Sequence, residues 1–120
     1  MDEGDLRSNI VREERPWGGF LRFTLNTPST VKILTVKPMQ SLSLQYHKHR
    51  SEFWHVISGS LTVTIAETVS EVQSGDEFFV KQGIEHSITG GKDGAQVLEI
   101  ALGNFDEDDI TRISDKYGRV

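Results

Sequence analysis

The chain has no cysteine. That excludes a disulfide framework and any thiolate metal site, and it accords with a reducing, cytoplasmic setting. No apolar run approaches the ~20 residues of a membrane-spanning helix, so no membrane partner is expected. Basic residues are in the minority: 13 Lys and Arg stand against 18 Asp and Glu, a net charge of −5. A surface built to bind nucleic acid would carry the opposite balance, so no nucleic-acid partner is expected. The opening Met1-Asp2-Glu3-Gly4-Asp5 is acidic and polar, the wrong chemistry for a signal peptide. Repeats, linkers and low-complexity tracts are missing too. With 120 residues, the chain suits one domain around one core.

What is present is a series of short β-type runs cut by turn formers. Phe20–Leu25 and Val31–Val36 come first, the second closed by Pro38. Leu42–His47 alternates, with Leu42, Leu44 and Tyr46 on one face and Ser43, Gln45 and His47 on the other. Phe53–Ile57 and Leu61–Ile65 flank Ser58-Gly59 and read as a hairpin. Val69–Val72, Phe78–Val80, His86–Thr89 and Ala95–Leu102 complete the set. The Gly-rich stretch 90–94 predicts a second hairpin between the last two runs. Ile110 and Ile113 lie one helical turn apart behind the acidic Asp106–Asp109, which predicts a short C-terminal helix. About nine short strands in one small domain imply an all-β sandwich or barrel.

Histidine and carboxylate spacing narrows the choice. Double-stranded β-helix (jelly-roll) proteins, the cupins, share a first motif that ends in a Glu, six intervening residues and a Gly. Glu52 and Gly59 fit those places, and Gln45-x-His47 then fills the preceding ligand pair. His49 lies too close to Glu52 to belong to that pair and falls at the end of the alternating run. The second cupin motif matches at Gly75, Gly83 and His86, with Lys81 and Gly90 in the places of its Pro and Asn. Gln45, His47, Glu52 and His86 are therefore the expected metal ligands. Two imidazoles, a carboxylate and an amide oxygen suit a borderline divalent ion, zinc first, then manganese, iron, cobalt or nickel. The alternative is that His47 and His86 are ordinary polar residues of a metal-free cupin; agreement at four spaced positions favours the metal. His55, between Trp54 and Val56, reads as a packed or solvated residue.

From Arg15 almost to the C-terminus the chain resembles a particular family. Its carriers are Arg15-Pro16-Trp17-Gly18, Val31-Lys32, Val36-Lys37-Pro38, the stretch from Leu42 to Trp54, Ser58-Gly59, Glu99, Asp108-Asp109-Ile110-x-Arg112 and Asp115-x-Tyr117-Gly118-Arg119. These resemble the C-terminal cupin domain of type II mannose-6-phosphate isomerases, which is often fused to a mannose-1-phosphate guanylyltransferase. No Gly-rich nucleotide loop accompanies it, so a free-standing cupin is expected, with 1–14 as an arm, 15–105 as the barrel and 106–120 as a tail. Phe53 stands where the family has His.

The resemblance implies a metal-dependent sugar-phosphate isomerase that interconverts mannose 6-phosphate and fructose 6-phosphate. Such a reaction needs a Lewis acid, a base near two carbons and cations for the phosphate. Glu99, sharing a face with Val97 and Ala101 in an apolar run, is a base candidate, and so is His49. Arg112 and Arg119 are the phosphate candidates, assisted by Arg50 and Lys37. By residue type alone, the two tail arginines fit better a solvated, mixed-charge segment pairing with Asp108, Asp109 and Asp115, and the resemblance brings the two readings level. A non-catalytic cupin binding a sugar phosphate or nucleotide sugar, and a different metal-cupin enzyme, remain alternatives. Cupin sheets commonly pair edge to edge, so a homodimer is expected.

Overall fold

The computed structural model describes residues 6–115 and residue 118. A 3-10 turn, Leu6–Asn9, leads into β1 (Val11–Arg15) and β2 (Gly18–Arg22), which pair with each other as a separate ribbon. The remaining strands are β3 (Thr30–Val36), β4 (Leu44–Tyr46), β5 (Arg50–Ile65), β6 (Thr68–Gln73), β7 (Glu77–Val80), β8 (His86–Gly103) and β9 (Thr111–Ser114).

Two long strands organise the barrel. The first half of β5 pairs with β7 on one side and with the second half of β8 on the other. Its second half pairs with β6 and with the first half of β8. In turn β8 carries β3 along residues 95–101 and meets β4 at His86, and β4 carries β9. Each long strand therefore contributes to both halves of a closed-up β-structure, which removes most open edges.

This overturns both predicted hairpins. Phe53–Ile57 and Leu61–Ile65 are parts of β5, and the Gly-rich stretch 90–94 lies inside β8. The pairing register slips at Val56/Ser58 and again at Gly59/Leu61, so the strand bends without reversing. Gly59 and Gly94 both have positive φ, 79° and 72°. A Cβ on Gly59 would strike the Gly94 carbonyl oxygen, and one on Gly94 would strike the Val36 carbonyl oxygen. These glycines thus serve close strand approach at the bends as well as backbone conformation. The predicted C-terminal helix is also absent among the described residues. Thr111–Ser114 form β9 instead, because β4 offers Thr111 and Arg112 an open edge that a lone helical turn could not match.

Between the halves lies the main core of Val36, Trp54, Val56, Leu61, Val63, Phe78, Ile88, Ala95 and Val97. A second cluster, Leu6, Phe53, Phe79 and Ile100, sits on the opposite face of β5 and β8 beneath the N-terminal segment. Alternation along β5 sends Glu52, Trp54 and Val56 inward and Phe53 outward. Every one of those four is at most 2% exposed, because the N-terminal segment covers the outer face.

Candidate metal centre

Glu52 enters the interior from β5, opposite Ala101, and His86 enters from the first residue of β8. His47 lies just after β4, whose Gln45 faces His86 across the ladder. Opposed residues project to the same face, so Gln45 shares the face of His86. His47, Glu52 and His86 are 3%, 2% and 1% exposed. One ligand atom from each lies within 4.8 Å of the other two.

Hydrogen bonds fix both rings. His47 Nδ1 lies 2.7 Å from the Asp109 carbonyl oxygen, and His86 Nδ1 lies 3.0 Å from that of Ile84. A carbonyl can only accept, so each Nδ1 carries a proton; each Nε2 then faces Glu52, as an N–H donor in the protonated ring and as a lone pair for a metal in the neutral one. Those Nε2 atoms stand 3.5 and 3.4 Å from Glu52 Oε1. Glu52 Oε1 and His86 Nε2 are buried without a hydrogen-bond partner. Buried polar atoms left so are costly, and one ion among them would satisfy both. Ligand atoms at ~2.1 Å from a tetrahedral ion lie ~3.4 Å apart, which matches these separations. The donor set therefore fits a divalent metal. The fourth expected ligand, Gln45, accepts a 2.6 Å hydrogen bond at Oε1 from Ser43, which orients the amide.

Charge is arranged around this point. Burial opposes ionisation of Glu52, but the imidazoles of His47 and His86 outweigh it and hold the carboxyl well below the usual range. For His47, burial pulls the pKa down, yet Glu52 and the Asp109 carbonyl turn the net shift upward. Arg50 donates from Nε to Glu52 Oε2 at 3.1 Å and from Nη1 to the Asp106 carbonyl at 3.0 Å. It is 6% exposed, so its guanidinium serves chiefly to hold Glu52. Glu99 lies opposite Trp54 and is 5% exposed. Burial first, then the charge and hydrogen bond of Glu52, push its carboxyl up to about 7, against the pull of Lys32 and Arg50.

The other expected residues spread out. His49 is exposed, and its backbone N–H donates to Asp109 Oδ2 at 2.9 Å. Arg112 faces Gln45 across β9, with Nε buried and without a hydrogen-bond partner. Lys37 is exposed, just past the end of β3 away from Lys32. Arg119 lies outside the described residues. Phe53 packs on the outer face and does not reach the centre. Sequence reading missed Asp109, whose carboxylate accepts from the Lys48 and His49 N–H groups while its carbonyl orients His47. It was hidden in an acidic run that reads as solvated tail. Lys32 was also missed as a site residue, although alternation with Leu34 and Val36 places it on the inward face.

Comparison with known proteins agrees with this fold. A family model described as mannose-6-phosphate isomerase C-terminal matches residues 3–115. The chain is 38% identical over 107 residues to xanthan biosynthesis protein XanB of Xanthomonas campestris pv. campestris, covering 88% of this chain and 23% of that protein. It is 35% identical over 121 residues to a mannose-1-phosphate guanylyltransferase of Escherichia coli, covering 98% and 25%. It thus spans about a quarter of the length of these relatives. Among solved structures, Bacillus subtilis oxalate decarboxylase superposes with TM-score 0.67 at 26% identity, covering 77% of this chain and 25% of that one. That enzyme has Mn(II) centres. A cupin protein from Bacteroides fragilis superposes with TM-score 0.59 at 23% identity, over 64% of this chain and 67% of that one. With its cupin fold and the family model matched over nearly its whole length, the chain belongs to the mannose-6-phosphate isomerase C-terminal family.

Proposed function

We propose that the chain is a metal-dependent sugar-phosphate isomerase that interconverts mannose 6-phosphate and fructose 6-phosphate. The observation that carries this reading is the convergence of His47 Nε2 and His86 Nε2 on Glu52 Oε1, at 3.5 and 3.4 Å, with a second buried carboxylate, Glu99, beside it. Gln45, His47, Glu52 and His86 would hold the ion, zinc or manganese by donor type. When bound, such an ion supplies Lewis acidity toward adjacent substrate oxygens.

The protein's own groups do the rest. Glu99, in its ionised form, takes the proton from one carbon of the substrate and returns it to the neighbouring one. Its burial and its distance from bulk water keep that proton from exchanging freely. Trp54 packs edge-on against His86, with ring centroids 5.7 Å apart, and closes the inner wall against water. Arg112, with its buried and unpartnered Nε, offers an N–H to a substrate oxygen.

A coupled assay with mannose 6-phosphate and added zinc, manganese or cobalt tests this, with His47→Ala and His86→Ala as controls. Turnover that needs metal and vanishes in both variants is expected. No turnover with any of the metals would sink the isomerase reading. If mannose 6-phosphate then still raised the melting temperature, a non-catalytic sugar-phosphate-binding domain would replace it.

A further inference from the structure

Beside the centre stands a cation that the isomerase reading leaves unassigned. Lys32 in β3 lies directly opposite Glu99, which in turn lies opposite Trp54. The row Lys32, Glu99, Trp54 therefore crosses three strands next to the row Thr30, Ala101, Glu52. Lys32 Nζ lies 2.8 Å from Glu107 Oε1 and 4.4 Å from the centroid of the Phe105 ring. Arg50 approaches the same ring from β5, with Cζ 4.5 Å from the centroid, and holds the Asp106 carbonyl. Residues 105–107 thus form a strap seated on one cation from each side of β8.

The two seats differ in strength. Arg50 is buried, and its donors are spent on Glu52, on the strap backbone and, from Nη2 at 3.4 Å, on His47 Nε2. The Lys32 seat lies at the solvent boundary: the Lys32 side chain is 33% exposed and that of Glu107 is 74% exposed. An ion pair this exposed contributes little, because water and salt screen it. A phosphate monoester carries close to two negative charges near neutral pH and several acceptor oxygens. It outcompetes one carboxylate for the same ammonium.

We propose that Lys32 receives the phosphate of the substrate, and that Glu107 is an internal placeholder that leaves Lys32 when the phosphate arrives. The phosphate-monoester class rests on the isomerase reading above; the exchange at Lys32 rests on the contacts just described.

Isothermal titration of inorganic phosphate into the full chain tests the exchange without any turnover. Wild type, Glu107→Gln, Lys32→Met and the double variant are compared, each in chelator and with zinc. Glu107→Gln is expected to tighten phosphate about three- to five-fold by removing the competing carboxylate. Lys32→Met is expected to weaken it about ten-fold or more, and in that background Glu107→Gln has no further effect. A purely structural ion pair would lower the melting temperature in both variants and leave phosphate affinity alone. Equal affinity in wild type and Glu107→Gln overturns the placeholder role, and equal affinity in wild type and Lys32→Met overturns the role of Lys32. Should Lys32→Met unfold, Lys32→Gln is the second probe: phosphate binding weakened about ten-fold or more supports the role, and wild-type affinity overturns it. Failure of the isomerase assay would not produce either overturning result, so the two readings fail separately.

Discussion

Glu52→Gln separates the two jobs that one buried carboxylate performs. In the metal-free protein, Glu52 neutralises Arg50 at 3.1 Å, and both side chains are nearly buried, at 2% and 7% exposure. The amide keeps the shape and loses the charge. Breaking a buried pair by removing one partner costs ~3–5 kcal/mol, since the other charge is left uncompensated. Glu99 offsets part of this. The charge of Glu52 raises the Glu99 carboxyl, so without Glu52 it ionises more readily near Arg50. A net loss of ~2 kcal/mol is therefore expected, which at this chain length lowers Tm by roughly 6–10 °C. His86→Ala, by contrast, removes a ligand and leaves the Arg50–Glu52 pair intact. Calorimetry in chelator, paired with metal analysis of protein purified without chelator, gives both readouts. Glu52→Gln should lose metal and stability together. It should also lose the further stabilisation that zinc gives the wild type, which grows with the ratio of free ion to Kd. If Glu52→Gln retained wild-type metal content, the ligand assignment would fail. If it melted with the wild type in chelator, the charge argument would fail.

Glu99→Gln should lower kcat by about 10²–10⁴-fold while metal content and melting temperature stay near wild type; a KM effect alone would remove Glu99 from the base role. Asp109→Asn should loosen the turn after β4. Burial disfavours the Asp109 carboxylate, but the N–H groups of Lys48 and His49 outweigh it, so its folded pKa is lowered. The stability it contributes is full above the unfolded value of about 3.9 and is lost as pH falls through the folded value. The Tm gap between wild type and Asp109→Asn should therefore be flat above about pH 5 and close below about pH 4; a constant gap down to pH 2 contradicts this. Light scattering at micromolar concentration should give the mass of a homodimer. Val31 and Ile33 leave β3 with an apolar outer face, 58% and 61% exposed, for a partner to cover; a monomer mass would remove the dimer.

The clustering of His47, Glu52 and His86 is legible in the sequence because its information is local. Gln45 and His47 share a face by alternation, and the spacing to Glu52 and Gly59 sets the register of the next strand. Burial of Glu99 follows from its apolar neighbours for the same reason. The two hairpins are misread because Ser58-Gly59 and the run 90–94 give a turn signal, and the same residues serve a bend. Only the neighbouring strands decide between reversal and continuation, and here β8 and β5 hold each other straight through the bends.

The C-terminal segment shows the same limit. Ile110 and Ile113 at helical spacing are a weak preference, and the free edge of β4 overrode it. Asp109 and Lys32 gained their places at the centre from contacts across 62 and 67 residues of sequence, to His47 and Glu99. Which side chains can bind a metal, and which face of each strand they share, follow from the order of residues alone, because alternation is a property of the backbone. Which histidine nitrogen faces Glu52, which arginine is spent on Glu52 and which lysine stands beside Glu99 were decided by the packed barrel. Those outcomes depend on which strands meet, and no local pattern encodes that.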